Sequence, residues 1–273
     1  MLEPGINQHF QKQYPCVLAV GGHDPSSGAG ILADAQTLFA FKTWPITLVT
    51  ALTSQNSQAV TRIDPQNADA FYEQLEVLTS DLPPAAVKLG MTGSLAIQEA
   101  LAAWLARNPR LPFVLDPVIT STSGSDLTGQ QQLEHLREEL LPKASLITPN
   151  LPELEQLVPG HQSIEEKAWR LLQSGAKAVL VTGTHAASKA VRNQLFIQAG
   201  RPPITSRWPR LPHEYHGSGC TLASALAALL ARGEALETAS NLAQDFTWES
   251  LKQGLQLSDG PHLPLRIREE EDV

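Results

Sequence analysis

Cysteine is almost absent: Cys16 and Cys220 are the only two in 273 residues. That is too few for a disulfide framework and fits a reducing compartment. Long apolar runs are missing as well. The longest, within Thr221–Leu230, falls well short of a membrane span. The first fifteen residues interleave Glu3, Gln8, Gln11 and Lys12 with apolar groups, unlike the core of a secretory leader. A cytoplasmic protein is therefore expected. Positive charge is in deficit, 20 Lys and Arg against 28 Asp and Glu for a net charge of −8. This disfavours non-specific binding to nucleic acid or to an anionic membrane, but not an anionic small molecule in a locally positive site.

Several chemical signatures are absent too. The chain has no G-x-x-x-x-G-K-[ST], so it is not a P-loop enzyme. It has no G-x-S-x-G nucleophile elbow. His23, His185 and His216 lack the spacing of zinc ligands. Gly28-Ala29-Gly30 followed by Ala33 approximates a dinucleotide fingerprint, which also needs an acid near the end of the second strand. No Asp or Glu occurs between Asp34 and Asp64, and Pro25 interrupts the approach to the glycines. A dehydrogenase is disfavoured.

What is present is an alternation of short apolar runs with amphipathic stretches, over 42% apolar and 18% charged residues. Strands are predicted at 16–21, 46–54, 87–91, 113–116, 145–148 and 177–182. Helices are predicted at 30–41, 68–79, 95–107, 130–140 and 164–173, the first with Ile31, Leu32, Ala35, Leu38 and Phe39 on one side. An antiparallel hairpin over 193–198 and 204–208 precedes two long helices at 219–231 and 235–252. Strand and helix in this order imply a mostly parallel sheet covered on both faces. We divide the chain into an N-terminal extension (1–15), one α/β domain (16–258) and a C-terminal tail (259–273), with Glu269–Asp272 solvated. No repeat and no dividing linker is seen. Polar clusters follow the strands at His23-Asp24, Gln55-Asn56, Gly90-Met91, Asp116-Pro117, Pro149-Asn150 and Gly183-Thr184-His185, where sheets of this class bind ligands.

Three segments carry candidate chemistry. His216-Gly217-Ser218-Gly219-Cys220-Thr221 runs into an Ala- and Leu-rich helix. Its first amides have no partners within the helix, and the macrodipole favours an anion there. Cys220 stands in that first turn, where a helix start can lower a thiol pKa and free a thiolate to accept a proton. Alternatively the glycines only start a buried helix tightly and Cys220 is a packing residue. Thr148-Pro149-Asn150-Leu151-Pro152-Glu153 reads either as a capping box from Asn150 to Glu153 or as a carboxylate beside hydrated Mg²⁺. Asp116, at the end of Phe113-Val114-Leu115, is either a turn residue or an Mg²⁺-side group. Asp34 lines the first loop or lies on a helix surface.

Six segments in one colinear order together resemble the ribokinase-like superfamily, and within it the hydroxymethylpyrimidine and phosphomethylpyrimidine kinases of thiamine biosynthesis. They are Gly22–Gly30, Thr50–Asn56, Val87–Met91, Leu115–Val118, Ile147–Glu153 and His216–Leu222. The resemblance implies a three-layer α/β sandwich and transfer of the γ-phosphoryl of Mg-ATP to 4-amino-5-hydroxymethyl-2-methylpyrimidine, then to its monophosphate. It places Gly22, Asp34, Gln55 and Met91 around the pyrimidine. Asn150, Thr182, His216 and Ser218 fall on the nucleotide side and Asp116 and Glu153 on the Mg²⁺ side. Gly217 and Gly219 form the anion hole, with Cys220 as catalytic residue. It also implies a homodimer.

Three departures stand out: Ser27 where the family often has Gly, Thr182 where many members carry Lys, and Glu214-Tyr215 ahead of His216. The Ser27 change is expected to cost little, and Thr182 to weaken the second transfer. A pyridoxal or pyridoxine kinase and a non-catalytic pyrimidine sensor are the competing readings.

Overall fold

Strand β1 (Cys16–His23) sends Val17 and Ala19 to one face and Leu18 and Val20 to the other, and all four are fully buried. A strand apolar on both sides has helices above and below it. The computed structural model, which describes residues 13–120, 127–184 and 188–267, has this arrangement. His185, residues 1–12 of the expected extension and the acidic Glu269–Asp272 lie outside the described residues.

The sheet runs β3-β2-β1-β4-β5-β6-β7-β8-β9. Its other strands are β2 (Trp44–Gln55), β3 (Val60–Pro65), β4 (Ala86–Leu89), β5 (Phe113–Leu115), β6 (Leu146–Ile147), β7 (Val179–Val181), β8 (Ala190–Phe196) and β9 (Ile204–Pro209). From β2 through β7 neighbouring strands are parallel, whereas β3, β8 and β9 join antiparallel at the edges. The three-layer, mostly parallel sandwich is therefore present. The strand order reverses at β1, whose neighbours are β2 on one side and β4 on the other. A crevice opens at such a reversal, beyond the carboxyl ends of the strands.

One face is covered by α2 (Ala68–Asp81), α3 (Leu95–Arg107), α5 (Leu151–Leu157) and α6 (Ile164–Gln173), which bring Leu75, Ile97, Leu101, Leu154 and Leu171 onto Leu18, Leu89 and Leu115. The other is covered by α1 (Gly30–Ala40), α7 (Ser218–Ala231) and α8 (Leu236–Lys252). α7 is buried over Thr221–Leu229, and its alanines let it lie close against Val17, Ala19 and Val114. Burying a leucine such as Leu18 or Leu226 stabilises by roughly 1.5–3 kcal/mol.

Four differences from the sequence reading have physical causes. β3 was not expected: Val60-Thr61-Arg62-Ile63-Asp64-Pro65 has no buried residue and pairs only at the sheet edge, where Pro is tolerated. The helix expected at 130–140 is α4 only over Gln130–His135. It widens into a π turn at Leu136–Leu140 and tightens to a 3₁₀ turn at Leu141–Lys143, because Pro142 cannot continue the α ladder. Ser27 has φ +60°, a left-handed conformation that glycine adopts without penalty. The substitution there carries a real backbone cost, of about 1 kcal/mol. Finally, the tail expected from residue 259 is packed structure as far as Arg266. His262 pairs with Tyr215, Leu263 pairs with Leu255, and Arg266 is 2% exposed.

Candidate active site

A cavity of about 660 Å³ opens over the carboxyl ends of β1, β4, β5 and β6 and is closed from the other side by the start of α7. Gly217, the residue before α7, has φ +90°. A side chain there would collide with the carbonyl oxygen of Gly28, so two glycine loops meet backbone to backbone. The first ladder bond of the helix, Thr221 N–H to Gly217 O, is 3.0 Å. The amides of Ser218, Gly219 and Cys220 precede it and have no partner inside the helix. All three residues line the cavity. A Cβ on Gly219 would stand 3.7 Å from both carboxylate oxygens of Asp116, so the carboxylate lies directly beside the helix start at the cavity wall.

Beneath this gap lies a charge cluster that sequence reasoning passed over. Lys88 is 1% exposed, with Nζ 2.9 and 3.0 Å from the two oxygens of Asp34 and 4.0 Å from Asp116. Burial works against its ammonium, but the Asp34 charge outweighs it and holds the pKa above the ordinary lysine value. Asp34 also accepts a 2.8 Å bond from Ser224 Oγ. It is fully buried and does not line the cavity, so its carboxyl reaches the site only through Lys88 and α7. The expected contact between Asp34 and a pyrimidine is thus replaced by a supporting position. The signal for Lys88 was present: a lysine inside the apolar run Ala86-Val87-Lys88-Leu89 has to find a carboxylate.

Asp116 and Glu153 both line the cavity, and burial raises the pKa of each. Burial, opposed by Lys88 and reinforced by Asp34, pushes Asp116 up to about 6. Burial and then the Asp116 charge push Glu153 up to about 8, against hydrogen bonds from Asn150. Asn150 and Glu153 do form the reciprocal capping box of α5, each bond 2.9 Å. The two readings of this segment are compatible, since the cap engages Oε2 of Glu153 while the residue stays at the cavity wall. Lys88 is shared by Asp34 and Asp116, and Glu153 has no ammonium beside it, so buried acid outnumbers buried base at this site. No cluster of three or more metal-ligating side chains exists among the described residues. That donor set fits a largely hydrated Mg²⁺ carried in with phosphates, not a protein-caged ion.

The thiolate expected at Cys220 is not the resting form. The half-buried thiol is pushed up to about 11 by burial, with Lys88 pulling it down and Asp34 and Asp116 adding to the rise. Gly30 N–H donates to its sulfur. Lys88 and the Gly30 N–H act in the expected direction but are outweighed by desolvation.

On the other side of the cavity, Asp24 organises the first loop. Its carboxylate accepts from Ser26 N and Oγ at 2.8 and 2.7 Å, from Ala29 N at 2.8 Å, and lies 2.8 Å from His216 Nε2. Burial works to raise its pKa, but bonds from His216, Gln55 and Ser26 outweigh it and hold the carboxyl well below the usual range. His216, expected on the nucleotide side, lines the cavity and ties the α7 loop to Asp24. Gly22 and Met91 meet at the β1–β4 crevice, where the Met91 methyl fills the space a Gly22 side chain would need, and Gln55, at the end of β2, lines the same cavity beside Asp24. Thr182 pairs with Asn150 and also lines the cavity. Farther along, Trp208 and Trp248 stack at 6.1 Å, and Trp208 donates to Gln244.

All the expected site residues except Asp34 therefore border one cavity. Missed were Lys88, Asp24 and Arg266, the last because it sits in a segment read as tail.

The comparisons agree with this geometry. A family model described as phosphomethylpyrimidine kinase matches residues 24–266. The hydroxymethylpyrimidine/phosphomethylpyrimidine kinase of Haemophilus influenzae is 36% identical over 253 residues, covering 89% of this chain and 93% of that protein. The crystal structure of phosphomethylpyrimidine kinase from Clostridium difficile superposes with a TM-score of 0.74 at 32% identity, over 85% of this chain and 97% of that one. A pyridoxal kinase from Staphylococcus aureus, in complex with AMP-PCP and pyridoxal, superposes with a TM-score of 0.83 at 28% identity, over 93% of each chain. The matched span takes in the Asp24 loop, both cavity carboxyls and the glycine-flanked start of α7, and on that ground the chain belongs to the phosphomethylpyrimidine kinase family.

Proposed function

We propose that this protein transfers the γ-phosphoryl group of Mg-ATP to the hydroxymethyl oxygen of 4-amino-5-hydroxymethyl-2-methylpyrimidine, and then phosphorylates the monophosphate, in thiamine biosynthesis. The observation that carries the reading is the row of amides at Ser218, Gly219 and Cys220 beside Asp116 in the wall of one cavity. Phosphoryl transfer calls for positioning and charge stabilisation more than for covalent protein chemistry. The amides receive the transferring group, and each such donor is worth roughly 2.7–4 kcal/mol in a preorganised site. Asp116 and Glu153 would hold the hydrated Mg²⁺, which supplies neutralisation of triphosphate charge when bound. Gln55, with donor and acceptor on one amide, reads the aminopyrimidine edge between Gly22 and Met91. Cys220 stands at the end of the amide row, and the hydroxymethyl proton passes to its sulfur. Because the transition state is loose, the oxygen needs little activation before transfer, and the proton goes to the thiolate form of Cys220, which burial disfavours in the ligand-free site.

The superposition with a pyridoxal-bound kinase favours a second reading, phosphorylation of the hydroxymethyl group on a pyridine ring. ADP release in Mg-ATP with hydroxymethylpyrimidine, its monophosphate and pyridoxal in turn separates them. We expect turnover with the first, weaker turnover with the second because Thr182 offers no ammonium, and less with pyridoxal. ADP release with pyridoxal alone would overturn the assignment. Among the described residues no helix is long and apolar enough to cross a membrane. The net charge of −8 supports an enzyme that handles small molecules and not nucleic acid, and a cytoplasmic homodimer is proposed on the family resemblance alone.

A further inference from the structure

Arg266 lies beyond the last helix, 239 residues from Ser27 in sequence, yet it is buried behind the start of α7. Its guanidinium has five N–H donors, and all five are used. Nε donates to Thr221 Oγ1 at 2.8 Å. One terminal nitrogen donates to Ser27 O at 3.2 Å and Gln36 Oε1 at 3.1 Å. The other donates to Gly28 O at 2.6 Å and Gly217 O at 3.4 Å. Every acceptor is neutral, so no carboxylate in direct contact cancels the charge.

The orientation matters because a trans peptide points its C=O and its next N–H in opposite directions. Holding the Gly217 carbonyl toward Arg266 turns the Ser218 N–H away from it, toward the cavity that Ser218 lines. Holding the Gly28 carbonyl likewise turns the Ala29 N–H to Asp24, where it bonds at 2.8 Å. One planar fork thus sets two peptide planes at the contact where Gly28 and Gly217 touch.

We propose that Arg266 is a positioning residue for phosphoryl transfer: it fixes the tilt of the Gly217–Cys220 amides and places a positive charge behind them. The proposal rests on the kinase reading above. It assigns to the chain beyond α8 a part in building the anion hole.

The test compares Arg266→Lys and Arg266→Met in the full-length protein. kcat and KM for hydroxymethylpyrimidine and Mg-ATP are measured per folded molecule, with folding checked by thermal melting. A misplaced donor row loses transition-state stabilisation more than ground-state binding. We expect kcat of Arg266→Met to fall by about tenfold or more while both KM values stay within about threefold. Arg266→Lys, which keeps the charge but not the planar fork, should recover part of that loss. A kcat within twofold of the parent in a folded variant would overturn the proposal. So would a defect confined to KM, or to the folded fraction. Should Arg266→Met fail to fold, the same limits apply to Arg266→Lys alone. No ADP release from the unaltered protein would remove the kinase reading and this proposal together, whereas equal turnover in parent and variants would remove the proposal only.

Discussion

At the scale of single residues, the site is governed by burial as much as by charge. Cys220 has the position of a helix-start thiolate and the environment of a buried thiol, and the environment dominates. With Cys16→Ser as background, the rate of Cys220 alkylation by iodoacetamide should keep climbing beyond pH 10 instead of levelling off near 8.5. A plateau near neutrality would show a thiolate already formed. Cys220→Ala should lower kcat strongly and leave ATP affinity nearly intact. The sequence made Cys220, Asp116 and Glu153 legible because each stands at a strand end or helix start beside glycine or proline. It did not give the pairing of Lys88 with Asp34, whose significance lies in meeting each other across 54 residues at 2.9 Å. It also made Ser27 look cheap, since φ is not written in the side chain.

At the scale of elements, α7 is the decisive one, and its two flanking glycines have different physics. Gly217 needs its missing side chain for a backbone conformation at φ +90° and for contact with the Gly28 carbonyl. Gly219 is helical, and a methyl there would only touch the Asp116 carboxylate at 3.7 Å. Gly217→Ala should therefore lower the melting temperature, by an amount reflecting more than about 1 kcal/mol of strain and collision. Gly219→Ala should melt like the parent yet lose tenfold or more in kcat, as its methyl occupies the space a transferring phosphoryl group needs. Melting curves beside turnover numbers check both, and a fully active Gly219→Ala would displace the anion hole from this helix. The core elements were readable from apolar runs and period, and most boundaries moved by only one or two residues. β3 was not readable, because a charged edge strand with Arg62 and Asp64 side by side has no buried face to announce it.

At the scale of the whole molecule, the unbalanced carboxyls make ligand-free stability depend on pH. Glu153 titrates near 4.5 when unperturbed and is pushed up to about 8 in the fold. A group raised in this way contributes stability that is fully present below about 4.5 and is lost as pH rises through about 8. Asp116, raised from 3.8 to about 6, adds in the same sense. The ligand-free protein should accordingly lose melting temperature between pH 5 and 8, and Glu153→Gln should flatten that slope. An equal slope in the variant would exclude Glu153 as its source. The overall architecture was legible in the order of strands and helices. The mutual placement of Asp24, Lys88 and Arg266 was not, because contacts between segments hundreds of residues apart leave no local trace.

The return of the chain from α8 to the first loop has a bearing on biogenesis. Sheet and helices can form while the final stretch is still being made, since among the described residues neither of the two apolar core clusters has a buried member beyond Phe246. If residue 266 sets the anion hole as proposed, a nascent or clipped polypeptide ending short of it would be folded in bulk and slow in chemistry.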